Sequence, residues 1–109
     1  MEINTELYQR QFYQEARDLL EEISSNLLKA ESDPDNRELL NAVFRGIHTI
    51  KGSAGVLEMY DISGFAHHIE TLLNVLRDGK TQLTPDMVDT ILAGVDHIIK
   101  MLDDRISGK

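Results

Sequence analysis

The sequence predicts an all-α protein, an up-down-up-down antiparallel four-helix bundle, and three observations carry that expectation. Four segments repeat apolar residues at three- and four-residue spacing, the period of a helix with one buried face. Stretches rich in Pro, Gly, Asp or Asn separate them. Only two prolines and few β-branched runs occur in 109 residues, so little of the chain reads as strand.

The first helix is expected over about 5–31, with Leu7, Phe12, Ala16, Leu19, Leu20, Ile23 and Leu27 forming its stripe. It stops before "SDPDN", where Pro34 sits in a turn and a new helix starts. The second is expected over about 35–57, with Leu40, Val43, Ile47, Ile50, Ala54 and Leu57 as an unbroken core stripe. After "EMYD" the third runs over about 62–78, carrying Phe65, Ala66, Ile69, Leu72, Leu73 and Leu76, with Gly79 as its stop. The fourth, about 85–105, opens on "TPDM": Thr84 as N-cap, Pro85 at the first helical position, Asp86 in the first turn. Its buried face is Val88, Ile91, Leu92, Val95, Ile98, Ile99 and Leu102, and "DDRISGK" is expected to fray. Short connections force neighbouring helices antiparallel, which makes 1–109 a single bundle domain. The apolar stripes fill such a core without a cofactor, and Met59, Met87 and Met101 serve as core filler or loop contacts.

Composition excludes several classes of function. The net charge of -8, from 19 acidic and 11 basic residues, argues against nucleic acid and against anionic membrane surfaces. Without cysteine the chain has no disulfide, thiolate metal site or cysteine nucleophile. No apolar run is long enough to span a membrane, and the first residues lack the pattern of a signal peptide, so a cytoplasmic location is expected. "KGSAG" lacks the order of a phosphate-binding P-loop, "GSAG" is not a nucleophile elbow, and the chain offers no recognisable ATP site.

One face of the second helix stands out. His48 follows core residue Ile47, so it points about 100° away from it. Lys51, Gly52 and Gly55 lie three, four and seven residues on and share its face. Glycine inside a helix costs roughly 1 kcal/mol relative to alanine, so two glycines beside one histidine need a reason. Together with Ser53 they strip bulk from around the imidazole, which lets a partner backbone or a phosphoryl group come close. On the third helix, His67, Glu70 and Asn74 share a face flanking the core stripe. With a turn centred near Met59, positions equidistant from it stand at similar heights: His48 faces Glu70, and Lys51 faces His67.

The chemistry of such a cluster follows from its groups. A carboxylate on one imidazole nitrogen fixes the tautomer and frees the other lone pair for attack, which is the task of Glu70 toward His48. The Lys51 ammonium can neutralise phosphoryl oxygens, and His67 can donate to Glu70 or to phosphate. The cluster reads as an activated phosphoryl acceptor. A di-iron bundle site is the rival from metal chemistry. It wants two Glu-x-x-His pairs, of which this chain has none, and Lys51 would stand beside the metal. The rival from another class is a non-catalytic adaptor that binds partners through its surface, with His48 incidental. His68 and His97 stand apart from the cluster and read as structural.

The stretch "AVFRGIHTIKGSAG" resembles the histidine-phosphotransfer (HPt) family, whose core motif is His-x-x-Lys-Gly followed by small residues. With "HHIETLLNVLRDG" it is similar, more narrowly, to the N-terminal phosphotransfer domains of chemotaxis histidine kinases of the CheA type, whose third helix carries a His and a Glu three residues apart, as His67 and Glu70 are. The similarity covers nearly the whole chain. Ile47 departs from it, standing where many members have a small residue, and His68 adds a second imidazole beside His67. The resemblance implies that a kinase ATP-binding domain phosphorylates His48 on Nε2, usually in trans within a dimer. It implies that the group then passes to an aspartate in the receiver domain of a response regulator. Glu70 would hold His48 Nδ1, with Lys51 and His67 completing the network. No cofactor would be bound here, ATP and Mg²⁺ being held by the partner domains. The isolated domain would be a monomer without catalysis of its own, either a piece of a larger kinase or free-standing.

Overall fold

The structure is a computed structural model that describes residues 5–79 and 81–108. Four helices follow in chain order: α1 (Thr5–Ser32), α2 (Arg37–Val56), α3 (Tyr60–Arg77) and α4 (Pro85–Ile106). Each packs against its neighbours round a closed ring, α1 on α2, α2 on α3, α3 on α4 and α4 back on α1. The bundle is all-α with up-down-up-down connections, as the sequence predicts, and measures 49 × 23 × 18 Å. The expected domain of 1–109 reaches at both ends beyond the described residues.

The apolar stripes meet along the axis. Leu20, Ile23 and Leu27 of α1, Val43, Ile47 and Ile50 of α2, Ile62 and Leu73 of α3, and Ile91, Ile98 and Leu102 of α4 are all buried. Leu7, expected in the stripe of α1, is 49% exposed, because α1 is the longest helix and its first turns extend past the tightest part of the core. Leu57, Phe65, Leu72, Leu92 and Ile99 are half-buried and close the core's edges.

The helix ends differ from the expected ones by up to two residues, each for a local reason. α2 begins at Arg37, after a turn in which Asn36 N–H donates to Asp33 C=O at 3.0 Å. α2 ends in a Schellman closure: Glu58 N–H donates to Gly55 C=O at 3.1 Å and Met59 N–H to Ala54 C=O at 2.8 Å. The closure puts Glu58 at φ 62°, in the left-handed region, and aims buried Met59 into the core. α3 can therefore start at Tyr60, with Ser63 N–H donating to Met59 C=O at 2.9 Å. Gly79 stops α3 at φ 76°, and Thr84 caps α4 by accepting from Met87 N–H at 3.2 Å.

The C-terminal segment, expected to fray, is instead helical as far as Ile106. Tyr13 Oη donates to Asp103 Oδ1 at 2.9 Å, Arg17 pairs with Asp103, and Arg105 Nη2 donates to Asp61 Oδ1 at 2.7 Å. These contacts tie α4 to α1 on one side and to α3 on the other.

Candidate functional site

α2 and α3 run antiparallel from the tight turn at Leu57–Met59, and this hairpin builds the site. His48 stands on α2 between buried Ile47 and Ile50, yet 61% of its side chain is exposed. Its position one step off the core stripe explains both facts. Glu70 is the opposite case, a carboxylate only 6% exposed and the only buried charged residue among those described. Burying an unpaired carboxylate is expensive, so its two oxygens must both find donors.

They do. His48 Nδ1 lies 2.5 Å from Glu70 Oε2, and Lys51 Nζ donates to Glu70 Oε1 at 2.7 Å. The hydrogen bond from Lys51 holds the Glu70 carboxyl below its ordinary value of 4.5, burial opposing this shift and the hydrogen bond from His48 assisting it. Glu70 is thus ionised at neutral pH and can only accept. The proton of the contact therefore belongs to His48 Nδ1, the tautomer that carries its lone pair on Nε2. That nitrogen, on a largely exposed side chain, is left free to act as a nucleophile.

The expected pairing of heights holds for His48 with Glu70 and changes for Lys51. Lys51 does not meet His67: it reaches along α3 to Glu70, because the buried carboxylate is the stronger acceptor. His67 Nδ1 stays 3.6 Å from Glu70 Oε1, at the periphery and beyond hydrogen-bond length. His68 is exposed, its ring centroid 6.4 Å from that of His67, and His97 packs against Phe65 with centroids 4.7 Å apart. Both lie outside the cluster.

The two glycines divide. A methyl group added at Gly52 meets nothing within 4 Å, so the space over this residue is open to solvent. At Gly55 the same group meets Ser63 Oγ at 3.4 Å, which places Gly55 toward α3, where Ser63 Oγ donates to Lys51 C=O at 3.0 Å. Beside Gly52, an open groove of about 1020 Å³ runs between Tyr8 and Phe12 of α1 and Ser53 and Val56 of α2.

Phe44 and Arg77, which lie outside the polar motif, join the site in the folded protein. The Phe44 ring lies nearly parallel to the His48 imidazole, with 10° between planes and 6.0 Å between centroids. Arg77 Cζ stands 4.0 Å from the Phe44 centroid, and Arg77 Nε donates to Asn41 Oδ1 at 3.2 Å. The signal was present in the spacing: Phe44 is one turn before His48, and Asn41 and Arg77 are equidistant from Met59.

Comparison with known proteins identifies the family of the chain. The Hpt domain family matches residues 8–105. Chemotaxis protein CheA of Borreliella burgdorferi is 39% identical over 98 residues, which cover 90% of this chain and 11% of that protein. The chain thus spans about a tenth of the length of such relatives. The CheA phosphotransferase domain from Thermotoga maritima superposes with a TM-score of 0.88 at 33% identity, covering 96% of this chain and 99% of that one. The phosphorylated P1 domain of CheA3 in complex with CheY6 from R. sphaeroides shares the fold, with a TM-score of 0.86 at 22% identity, over 94% of this chain and 80% of that one. Four antiparallel helices, a buried glutamate holding an exposed histidine, and these matches lead to one conclusion: the chain belongs to the Hpt domain family, as a phosphorelay module of the CheA type.

Proposed function

We propose that His48 is the phosphorylated residue, and that this domain takes a phosphoryl group from a kinase ATP-binding domain and gives it to a receiver aspartate. The observation that carries the reading is the contact of exposed His48 through Nδ1 with the buried carboxylate of Glu70. In the first step the Nε2 lone pair forms a bond to the γ-phosphorus of ATP. The bond from that phosphorus to the β,γ-bridging oxygen breaks, and ADP leaves with the electron pair. Positive charge develops on the ring as the N–P bond forms, and the Glu70 carboxylate on Nδ1–H stabilises it. In the second step a receiver carboxylate oxygen attacks phosphorus. The N–P electrons return to Nε2, restoring the neutral ring with its proton still on Nδ1.

Lys51 supports both steps. It holds the carboxylate at Oε1, which fixes the acceptor that orients His48, and its flexible ammonium can turn toward phosphoryl oxygens. His67, on the rim, can add a donor to Glu70 or to phosphate. The open space over Gly52, with Ser53 and the groove beside it, is the side from which a partner approaches. Gly55 assists through the α2–α3 packing.

By kinship with CheA, the chain would act as part of a chemotaxis histidine kinase in the cytoplasm, with ATP and Mg²⁺ held by partner domains and no autonomous catalysis. No helix among the described residues is long and apolar enough to cross a membrane, in keeping with that location. The response regulator as recipient draws support from the CheA3–CheY6 complex.

The test uses labelled ATP, a CheA-type kinase core lacking its own phosphotransfer domain, and this protein with His48 intact or as His48→Gln. Acid-labile, alkali-stable label on the intact protein alone is the expected result. Equal labelling of both would refute the assignment. Because the site lies outside the core, phosphorylation should leave the helical circular dichroism unchanged.

A further inference from the structure

Glu70 holds His48 by one atom, and that is not enough to aim it. A ring tethered at Nδ1 by a single hydrogen bond can still tilt about the contact, and each tilt swings Nε2 on the far side. In-line transfer needs the Nε2 lone pair directed at phosphorus within a narrow range, so something must restrict the ring plane. Phe44 lies where such a restraint would act. It is one turn before His48 on α2, nearly parallel to the imidazole at a centroid separation typical of offset-stacked aromatic pairs.

Phe44 is itself held. Its inner edge packs on the core, and the Arg77 guanidinium lies over its ring at 4.0 Å in a cation–π contact. Arg77 is fixed in turn from α2, through Asn41 Oδ1 on its Nε and through Arg37, whose Nη1 donates to the Arg77 carbonyl at 3.1 Å. An exposed arginine tethered at its side chain and its backbone is a clamp and not a solvated charge. A phenyl χ2 torsion is broad when unrestrained, and the guanidinium on the ring face narrows it.

We propose that Phe44, clamped by Arg77, is a positioning residue for phosphoryl transfer: it sets the plane of the His48 ring and so the direction of the Nε2 lone pair. Glu70 determines where Nδ1 sits and Phe44 determines where Nε2 points. This rests on His48 being the phosphoryl acceptor. Since both transfers pass through the same N–P axis, the restraint serves donation as well as acceptance.

The test compares Phe44→Leu, Phe44→Tyr, Arg77→Gln and His48→Gln with the unaltered protein. Phosphorylation by the kinase core and dephosphorylation by a receiver domain are both followed, with melting temperatures alongside. Phe44→Leu keeps an apolar cover over the core edge but loses the ring face. Its kcat should fall about tenfold in both directions with KM little changed, since a small misplacement of reacting atoms has effects of that size or larger. Phe44→Tyr should recover most of the rate, and Arg77→Gln, an exposed substitution, should lose a smaller part of it. A Phe44→Leu protein with unaltered kcat, or with a loss confined to KM or to one direction, would overturn the proposal, as would failure of Tyr to do better than Leu. Should Phe44→Leu fold poorly, Arg77→Gln decides: kcat unchanged in both directions overturns the clamp. Labelling of His48→Gln would instead refute the acceptor assignment, so the two failures are distinguishable.

Discussion

His48 and Glu70, twenty-two residues apart in the chain, meet at 2.5 Å across the α2–α3 interface, one 61% exposed at its side chain and the other 8%. This asymmetry matters to the chemistry. The proposed phosphoryl acceptor is outside, where other proteins can reach it, and the carboxylate that holds it is inside, kept charged by Lys51.

Replacing Glu70 by Gln keeps the shape of the side chain and removes its charge. The amide can accept from Nδ1–H through its oxygen or donate through its nitrogen, so the ring tautomer is no longer enforced, and the charge that stabilises the developing imidazolium is gone. Phosphorylation by a kinase core should slow by about 10²-fold or more. The melting temperature should change far less, because His48 and Lys51 both retain access to water. A variant phosphorylated at the unaltered rate would remove Glu70 from the mechanism.

The ionisation of Glu70 also has a consequence for stability. Its carboxyl is lowered from 4.5 in the folded protein, chiefly by the Lys51 hydrogen bond, so the unfolded chain takes up a proton at this group before the folded one does. The resulting stabilisation is fully present above the unfolded value of 4.5 and disappears as pH falls through the lower folded value. Urea midpoints measured from about pH 6 down to pH 3 should drop more steeply for the unaltered protein than for Glu70→Gln. Parallel curves would show that the site contributes nothing to acid sensitivity.

Gly52 and Gly46 lie on the same helix and should respond oppositely to alanine. Nothing within 4 Å opposes a methyl group at Gly52, so Gly52→Ala should stabilise the fold by roughly 0.5–1 kcal/mol through helix propensity. The same variant should slow phosphoryl transfer, because the methyl projects into the space a partner must enter. At Gly46 the added carbon would come within 2.7 Å of the buried Ile23 side chain, and Gly46→Ala should destabilise by about 1–3 kcal/mol. Chemical denaturation of the two variants, with transfer rates for Gly52→Ala, checks both expectations.

Glu58 carries the left-handed φ of 62° that closes α2. A residue with a Cβ pays roughly 1 kcal/mol in that conformation, whereas glycine does not. Glu58→Gly should therefore raise the unfolding free energy by up to about 1 kcal/mol, offset in part by greater freedom of the unfolded chain. Denaturant midpoints would show it, and a lower midpoint would mean that the loss of chain entropy dominates at this turn.

The sequence by itself determined the four helices, the stripes that face the axis, and the faces on which His48, Lys51, His67 and Glu70 lie. Those features follow from the 3.6-residue period and from local stop signals, which need no knowledge of neighbouring elements. It also placed His48 opposite Glu70, because a short turn permits only one antiparallel hairpin. The tertiary structure decided the rest. Lys51 pairs with Glu70 because a buried carboxylate needs two donors, a demand that arises only once burial is known. Gly52 opened to solvent while Gly55 turned toward Ser63, a difference set by how α2 is rotated against α3. The stack of Arg77, Phe44 and His48 depends on side-chain torsions in two helices at once. Periodicity assigns a residue to a face. Which atom it touches there is settled by packing between helices, where the competing partners first come within reach.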